Sequence, residues 1–290
     1  MISEDFAAIL TVRDSKTTLD TLVLFDVAHD DSDISPIDQF IENSLRLNKI
    51  WAIGDPSQQI EPEMGILLLL GYISAVESYM RALIRRLIAC DQFSQQNCES
   101  LQLSFGAALH HRINVLPEAL LEETVFSGKD EITKALNKFI GIQLNNNKAL
   151  APLFTQYEII CQLRHCCVHR FGKLGAKNAI NFGLQSHKEF LEKPVLLNKQ
   201  AISSIADILI TLVKSINIEV FKLVLIRSAT STLNGQAKPG IGWTWHKTKD
   251  KNNFYQYYSV FACQKDAQPS PPPNELYERF RKVHRKVGKK

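Results

Sequence analysis

The chain has 290 residues, of which 45% are hydrophobic, and this is enough to bury one sizeable core without disulfide bonds. Its formal net charge of +4 is concentrated at one end, because residues 279–290 hold seven Lys or Arg and no acid, and the rest carries 27 basic against 30 acidic residues. The composition therefore excludes a broad basic nucleic-acid surface over the body of the protein. Any polyanion is expected at a local patch or at the tail.

Cysteine usage and hydropathy indicate a protein of the reducing cytoplasm. The six cysteines include the adjacent pair Cys166 and Cys167, unlike the spaced cysteines of a small secreted fold. The first ten residues contain Glu4 and Asp5, where a secretory signal would carry basic residues. The longest uncharged apolar run, 64–76, has 13 residues, fewer than the ~20 that a bilayer requires. We therefore expect a cytoplasmic chain with no export signal and no membrane span.

Glycine and proline are scarce, at 13 and 11 residues, which favours long uninterrupted helices. The segment SPIDQFIENSLRLNKIW begins with a Ser cap and a Pro in the first turn and predicts an amphipathic helix. A longer helix is predicted from 61 to 89, apolar on all sides at first and then carrying Glu77, Arg81 and Arg85 one turn apart. Further helices are predicted at 94–116, 130–140, 152–171 and 199–228.

The amino-acid composition changes after Gly235. GIGWTWHK and FYQYYSVFACQ are rich in aromatic and β-prone residues, and the polar turn TKDKNN between them predicts a hairpin. Its aromatic side chains could stack on nucleic-acid bases, although packing on the bundle explains them equally well. The predicted fold is all-α, a helical bundle with a small C-terminal β-hairpin appendage. We divide it into an N-terminal helical segment (1–60), the bundle (61–230), the β-rich appendage (235–268), and a Pro-rich linker with a basic tail (269–290).

The candidate catalytic residues lie in the stretch QLRHCCVHRFG, residues 162–172. His165 and His169 are four residues apart and therefore share one face of a helix, and the long stem of Arg164 can bring its guanidinium towards them. From 164 to 177 the chain has no acid and four basic residues: Arg164, Arg170, Lys173 and Lys177. The local field is therefore positive, which favours a phosphodiester ligand.

These residue types suit RNA cleavage. A guanidinium can grip two phosphate oxygens and stabilise developing charge, and an imidazole can both take and give a proton near neutral pH. The 2′-hydroxyl of RNA is a built-in nucleophile, so that a base, an acid and a cation suffice without a metal ion.

Arg164, the polar residue His165 and His169 reproduce the RxxxxH motif of HEPN-domain ribonucleases, in which a polar residue follows the arginine. VESYMRALIRRLI resembles the second helix of that bundle, and KALNKFIGIQ followed by EIICQLRHCCVHRFG resembles the approach to its motif helix. The resemblance covers 61–228. The segment before Glu61 and the predicted hairpin have no counterpart in it.

The resemblance implies a homodimer in which two motif helices form one composite site for metal-independent RNA cleavage. It further implies a toxin or phage-defence effector that needs no cofactor and acts beside a cognate antitoxin or defence partner. Arg164 would contact the scissile phosphate, His169 would be general acid or base, and His165 would orient the pair. The residues expected to frame the bound RNA are Arg170, Lys173, Lys177, Arg81 and Glu77.

Three other interpretations stay open at this point. A HEPN module could bind RNA or a nucleotide, or only dimerise, without cutting. Cys161, Cys166, Cys167, His165 and His169 are zinc-ligand types, but tetrahedral zinc usually draws its ligands from separate elements, and no CxxC or HExxH pattern is present. Finally, Arg and His favour the last turn of any helix because of its dipole.

Overall fold

The computed structural model describes residues 16–52, 59–112, 115–144, 147–230, 232–233, 236–237 and 242–285. The chain divides into two compact units, one comprising residues up to Asp33 and the other beginning at Ile34. In the described part of the first unit, a 3-10 turn spans Thr21–Leu24, and the side chain of Asp20 caps it by accepting a hydrogen bond from the backbone of Leu22 at 3.0 Å.

The second unit is helical throughout most of its described length, and the all-α class is thereby confirmed. Its helices are α1 (Pro36–Ala52), α2 (Pro62–Cys90), α3 (Gln92–Cys98), α4 (Phe105–His110), α5 (Leu116–Ala119), α6 (Lys129–Ile140), α7 (Ala151–Arg170), α8 (Ala176–Phe182), α9 (Leu184–His187), α10 (Lys199–Ala229), α11 (Lys251–Phe261) and α12 (Pro273–His284). Two-residue strands, β1 (Thr232–Leu233) and β2 (Gln236–Ala237), pair antiparallel between α10 and α11.

The long helix α2 is the centre of the core. Its apolar side chains pack against α1, α6, α7, α10 and α11, and most of them are fully buried, from Leu68 and Leu69 at one end to Leu87 at the other. By length and composition α2 could also cross a membrane, but 56% of its most apolar window is buried inside the protein. Its apolar character is accounted for by its place among other helices.

The predictions for the long helices are confirmed, but that for 94–116 is wrong. The structure has instead two short helices, α3 and α4, separated by residues 99–104. Each has its own cap: Asp91 accepts a hydrogen bond from the backbone of Ser94, and Ser104 accepts one from the backbone of Ala107. Side chains that satisfy the first-turn N–H groups start a new helix at each place, which explains the break.

The predicted C-terminal hairpin is also wrong. Residues 251–261, which include most of its second strand, form the helix α11. The buried side chains Phe254, Tyr257, Tyr258 and Phe261 are spaced three and four apart, so that they line one helical face. This spacing prevails over the β propensity of the individual aromatic residues, because strand propensity largely reflects packing context.

The tail prediction needs a related correction. Residues 273–284, assigned to a linker and basic tail, form α12, which Pro273 opens in the first turn. Tyr277 and Phe280 are buried, and Phe280 lies against Trp243 and Phe254 with ring centroids 5.2 and 6.0 Å apart. The C-terminal region is therefore packed onto the bundle as far as it is described. Residues 286–290 lie outside the described part.

A buried ionic network joins the helices at the C-terminal end of α2. Asp91 is fully buried and pairs with the guanidinium of Arg227, which is 1% exposed. The carboxylate also accepts hydrogen bonds from the hydroxyls of Ser94 at 2.6 Å and Tyr257 at 2.9 Å. Arg227 donates a further bond to the carbonyl of Ile140. The end of α2 and helices α3, α6, α10 and α11 thus meet at one buried ion pair.

We expect the substitution Arg227→Met to lower the free energy of unfolding by about 3–5 kcal/mol, because it leaves the Asp91 carboxylate buried without its counter-charge. Chemical denaturation monitored by circular dichroism measures this change. Lys222→Met removes a cation from the exposed pair with Glu219 and should cost less than about 1 kcal/mol. Equal losses in the two variants would contradict the prediction.

Candidate functional site

Helix α7 carries the RxxxxH stretch on its last two turns. The helix ends because Phe171 and Gly172 adopt left-handed backbone conformations, with φ of 50° and 87°, and the N–H of Gly172 donates to the carbonyl of Cys166 at 3.0 Å. A Cβ at position 172 would lie 3.1 Å from Cδ1 of Ile66, so that only glycine fits without adjustment. The stretch is therefore held close to the N-terminal half of α2.

The two histidines of the stretch face solvent together. His165 and His169 are both exposed, and their rings are stacked with centroids 5.5 Å apart and planes 27° apart. Partial burial lowers the pKa of His165, and the positive groups of His169, Arg164 and Lys177 lower it further. A neutral imidazole is thus favoured at position 165, next to the second imidazole at position 169.

Arg164 lies beside the imidazole pair and is half-buried. Its Nη2 is 3.8 Å from Oε1 of Glu77 on α2, so the structure brings together two residues predicted for the site. Beneath them, the hydroxyl of Tyr157 donates to the carbonyl of Phe126 at 2.5 Å, and burial raises the pKa of the Cys161 thiol to about 12. Among the residues that the structure describes, Glu77 is the one carboxylate within ion-pair distance of the Arg164 guanidinium.

Lys177 reaches the site from α8, which amide contacts hold against α7. The side-chain oxygen of Gln162 accepts hydrogen bonds from the amides of Asn178 at 2.9 Å and Asn181 at 3.0 Å. This clamp places Lys177 close enough to His165 to lower its pKa. The sequence analysis did not assign a role to the amides of Gln162 and Asn181, and their only signal is a run of polar residues directly after the motif.

Arg170 and Lys173 lie on the loop side of the site. The guanidinium of Arg170 pairs with Glu192, which belongs to the segment that returns along residues 172–174. In that segment the backbone of Leu174 donates to Lys193 and that of Val195 donates to Gly172. The side chain of Lys173 is exposed. Of these two residues predicted to contact RNA, Arg170 is therefore already paired with a carboxylate, that of Glu192.

Arg81 is directed elsewhere. Its guanidinium donates to the carbonyls of Leu121 at 2.7 Å and Thr124 at 2.8 Å, lies 3.3 Å from Glu118, and sits over the ring of Phe126. These contacts hold the loop that follows α5. The structure does not bring Arg81 to the imidazole pair, and its contacts account for it as a structural residue.

The cysteines near the motif are packed as small apolar residues. Burial raises the pKa of Cys166, and it raises that of Cys167 to about 11, which disfavours the thiolate that a metal requires. All six cysteines are free thiols. Across the described residues, no three His, Cys, Asp or Glu side chains are grouped as a ligand set for a metal ion.

Comparison with known proteins gives no relative. No protein-family model matches the chain, and neither a curated protein nor a solved structure is significantly similar to it. Inference about function therefore rests on the residues themselves.

The proximity of the two rings leads to a titration prediction. His169→Ala should raise the pKa of His165, because it removes a neighbouring group that bears positive charge. Lys177→Gln should move it in the same direction. The measurement is the pH dependence of the imidazole proton resonances by NMR, with Lys222→Gln as a control that should leave His165 unchanged. An unaltered pKa of His165 in the His169→Ala variant would mean that the two rings are not close in solution.

Proposed function

We propose that the protein is a HEPN-type endoribonuclease of the cytoplasm, which cleaves RNA by attack of the 2′-hydroxyl and needs no metal ion. The observation that carries this proposal is the group at the end of α7, where Arg164 and two stacked imidazoles lie together at the surface. The helical architecture supports it, since the resemblance of the RxxxxH stretch to HEPN ribonucleases implies an all-α bundle.

The charged residues near the end of α7 can each be given a role in the cleavage of an RNA phosphodiester. Arg164 would bind the scissile phosphate and stabilise the negative charge of the phosphorane as it develops. Glu77 would hold the guanidinium in a fixed orientation from α2, at the observed 3.8 Å. Lys173 and Lys177 would contact neighbouring phosphates of the strand, and so would Arg170 on release from Glu192.

The two imidazoles can divide the proton transfers. The lowered pKa of His165 favours its neutral form, which can accept a proton from the 2′-hydroxyl directly or orient His169 to do so. The other ring, when protonated, can deliver a proton to the leaving 5′-oxygen. The two rings lie 5.5 Å apart, so that one can serve as the base and the other as the acid on the same phosphodiester. The products would be a 2′,3′-cyclic phosphate and a 5′-hydroxyl.

A second copy of the chain would complete the site. The resemblance implies that two motif helices meet, and His165 and His169 are exposed at the end of α7, where a second helix could approach. We propose that the active form is this homodimer, and that it acts as a toxin or phage-defence effector controlled by an antitoxin or defence partner protein.

One observation favours a second candidate function. Arg164 has a carboxylate partner, and Arg170 is paired with Glu192, so that two of the predicted phosphate contacts are partly neutralised. A non-catalytic HEPN module that binds RNA or a nucleotide would tolerate this arrangement, because binding needs only a modest positive field. The two candidate functions are distinguished by whether the purified protein cleaves RNA or only binds it.

We expect the purified protein to cleave a mixed RNA pool in the presence of excess EDTA. Arg164→Ala and His169→Ala should each lower the rate by about 100-fold or more, since each removes a group that acts in the transition state. Cleavage is followed by gel electrophoresis, and the product ends are identified by phosphatase and kinase treatment.

Two substitutions of the same residue types provide matched controls. His110→Ala and Arg112→Ala remove exposed side chains that have no place in the group on α7, and both should leave the rate unchanged. Loss of cleavage on chelation would contradict a metal-independent mechanism. Tight RNA binding with no cleavage by the wild type would transfer the proposal to the non-catalytic module.

A further inference from the structure

We infer that the loop between Trp245 and Lys251, together with the outer face of α12, forms a second RNA-binding surface that holds the phosphate backbone. We call it the C-terminal basic surface. It lies in the region that the sequence analysis assigned to a hairpin and a tail. The choice of RNA as the polyanion rests on the proposed function, whereas the surface and its charge do not.

The loop and the helix form one structural unit. The hydroxyl of Tyr277 on α12 donates to Oδ2 of Asp250 at 2.7 Å, and the rings of Trp245 and Phe280 are 5.6 Å apart. Nη1 of Arg281 also reaches the carbonyl of Trp245 at 3.5 Å. Cations on the loop and on the helix are therefore held at a defined spacing, which a mobile tail would not provide.

Most of the cations on this surface have no acidic partner. Five exposed cationic side chains form no ion pair with any residue that the structure describes: Lys247, Lys249, Lys251, Lys282 and Arg285. The acids of α12 are engaged locally, because Glu275 pairs with Arg279 and Glu278 pairs with Arg281.

The one acid of the loop is turned inward. Asp250 is 2% exposed, and its carboxylate accepts hydrogen bonds from the hydroxyl of Thr244 at 2.7 Å and from Tyr277. Its role is to fasten the loop to α12 while the neighbouring lysines point outward. The surface is therefore strongly positive, although residues 1–278 as a whole carry 27 basic against 30 acidic residues.

The same features favour a nucleic acid over a lipid bilayer. A helix that binds a membrane inserts an apolar face between lipids. The apolar face of α12 is already occupied, since Tyr277 is 3% and Phe280 is 7% exposed, which leaves Val283 as its one exposed large apolar side chain. A strand of phosphates needs only spaced cations at the surface.

The surface is separate from the group on α7. Glu77 of α2 reaches Arg164 of that group, whereas Asp91, 14 residues later at the end of α2, contacts Tyr257 of α11. Because a helix rises 1.5 Å per residue, these two points on α2 are roughly 21 Å apart, and the surface is built on other elements, the loop before α11 and the helix α12. RNA bound at both would have to extend along the bundle, which makes a long strand a better ligand than a short one.

The test compares two variants of equal net charge. The surface variant combines Lys247→Gln, Lys249→Gln, Lys282→Gln and Arg285→Gln. The control variant combines Lys49→Gln, Lys134→Gln, Lys148→Gln and Lys222→Gln, which are exposed positions outside the surface. Binding of a labelled oligouridine of about 20 nucleotides is measured by fluorescence anisotropy over a series of salt concentrations, in the His169→Ala background so that cleavage does not intervene.

We expect the surface variant to bind RNA at least about tenfold more weakly at low salt. The slope of the logarithm of the binding constant against the logarithm of the salt concentration should also decrease in magnitude by about 2 to 3, because each phosphate contact on a single strand contributes about 0.7. The control variant should keep the slope of the parent. Equal behaviour of the two variants would overturn the inference, as would binding to phosphatidylserine vesicles with no measurable binding to RNA. Because binding is measured without cleavage, a failure of the proposed ribonuclease activity would leave this result independent.

Discussion

The pairing of Asp91 with Arg227 is the interaction on which the rest of the bundle depends. Two opposite charges are removed from water at the point where α2 ends and α3 begins, and hydrogen bonds to the paired groups offset much of the cost of such burial. Ser94, Tyr257 and the carbonyl of Ile140 supply most of that bonding, although Nε of Arg227 has no partner in the described structure. Apolar packing alone would allow these helices to slide, whereas one carboxylate fixes their relative positions.

The length of α2 separates two ends with different chemistry. Its C-terminal end is tied by the Asp91 network to α10 and α11, and through α11 to the basic α12. Its N-terminal half instead faces Gly172 and the end of α7, and Glu77 near its middle reaches Arg164. The central helix α2 thus connects the α7 group, which it meets along its N-terminal half and middle, with the helices α11 and α12 next to its C-terminal end.

Much of the fold could be predicted because its long helices follow an apolar period of three and four residues. The same rule placed His165 and His169 on one face, and their rings are indeed stacked. The hairpin prediction for α11 was wrong because it gave the aromatic composition more weight than the three-and-four spacing of Phe254, Tyr257, Tyr258 and Phe261. The helical signal was present in that segment, and it depended on a buried partner surface that a local pattern does not reveal.

The sequence by itself determined the class of fold, the course of the long helices, and the presence of a guanidinium and two imidazoles near a helix end, because these follow from local periodicity. Only the tertiary structure decided which charges meet. Asp91 and Arg227 are 136 residues apart, Arg164 and Glu77 lie on different helices, and Arg81 turned to a loop rather than to the motif. Pairings of this kind arise from the packing of separate elements, and helical periodicity carries no information about partners at long range.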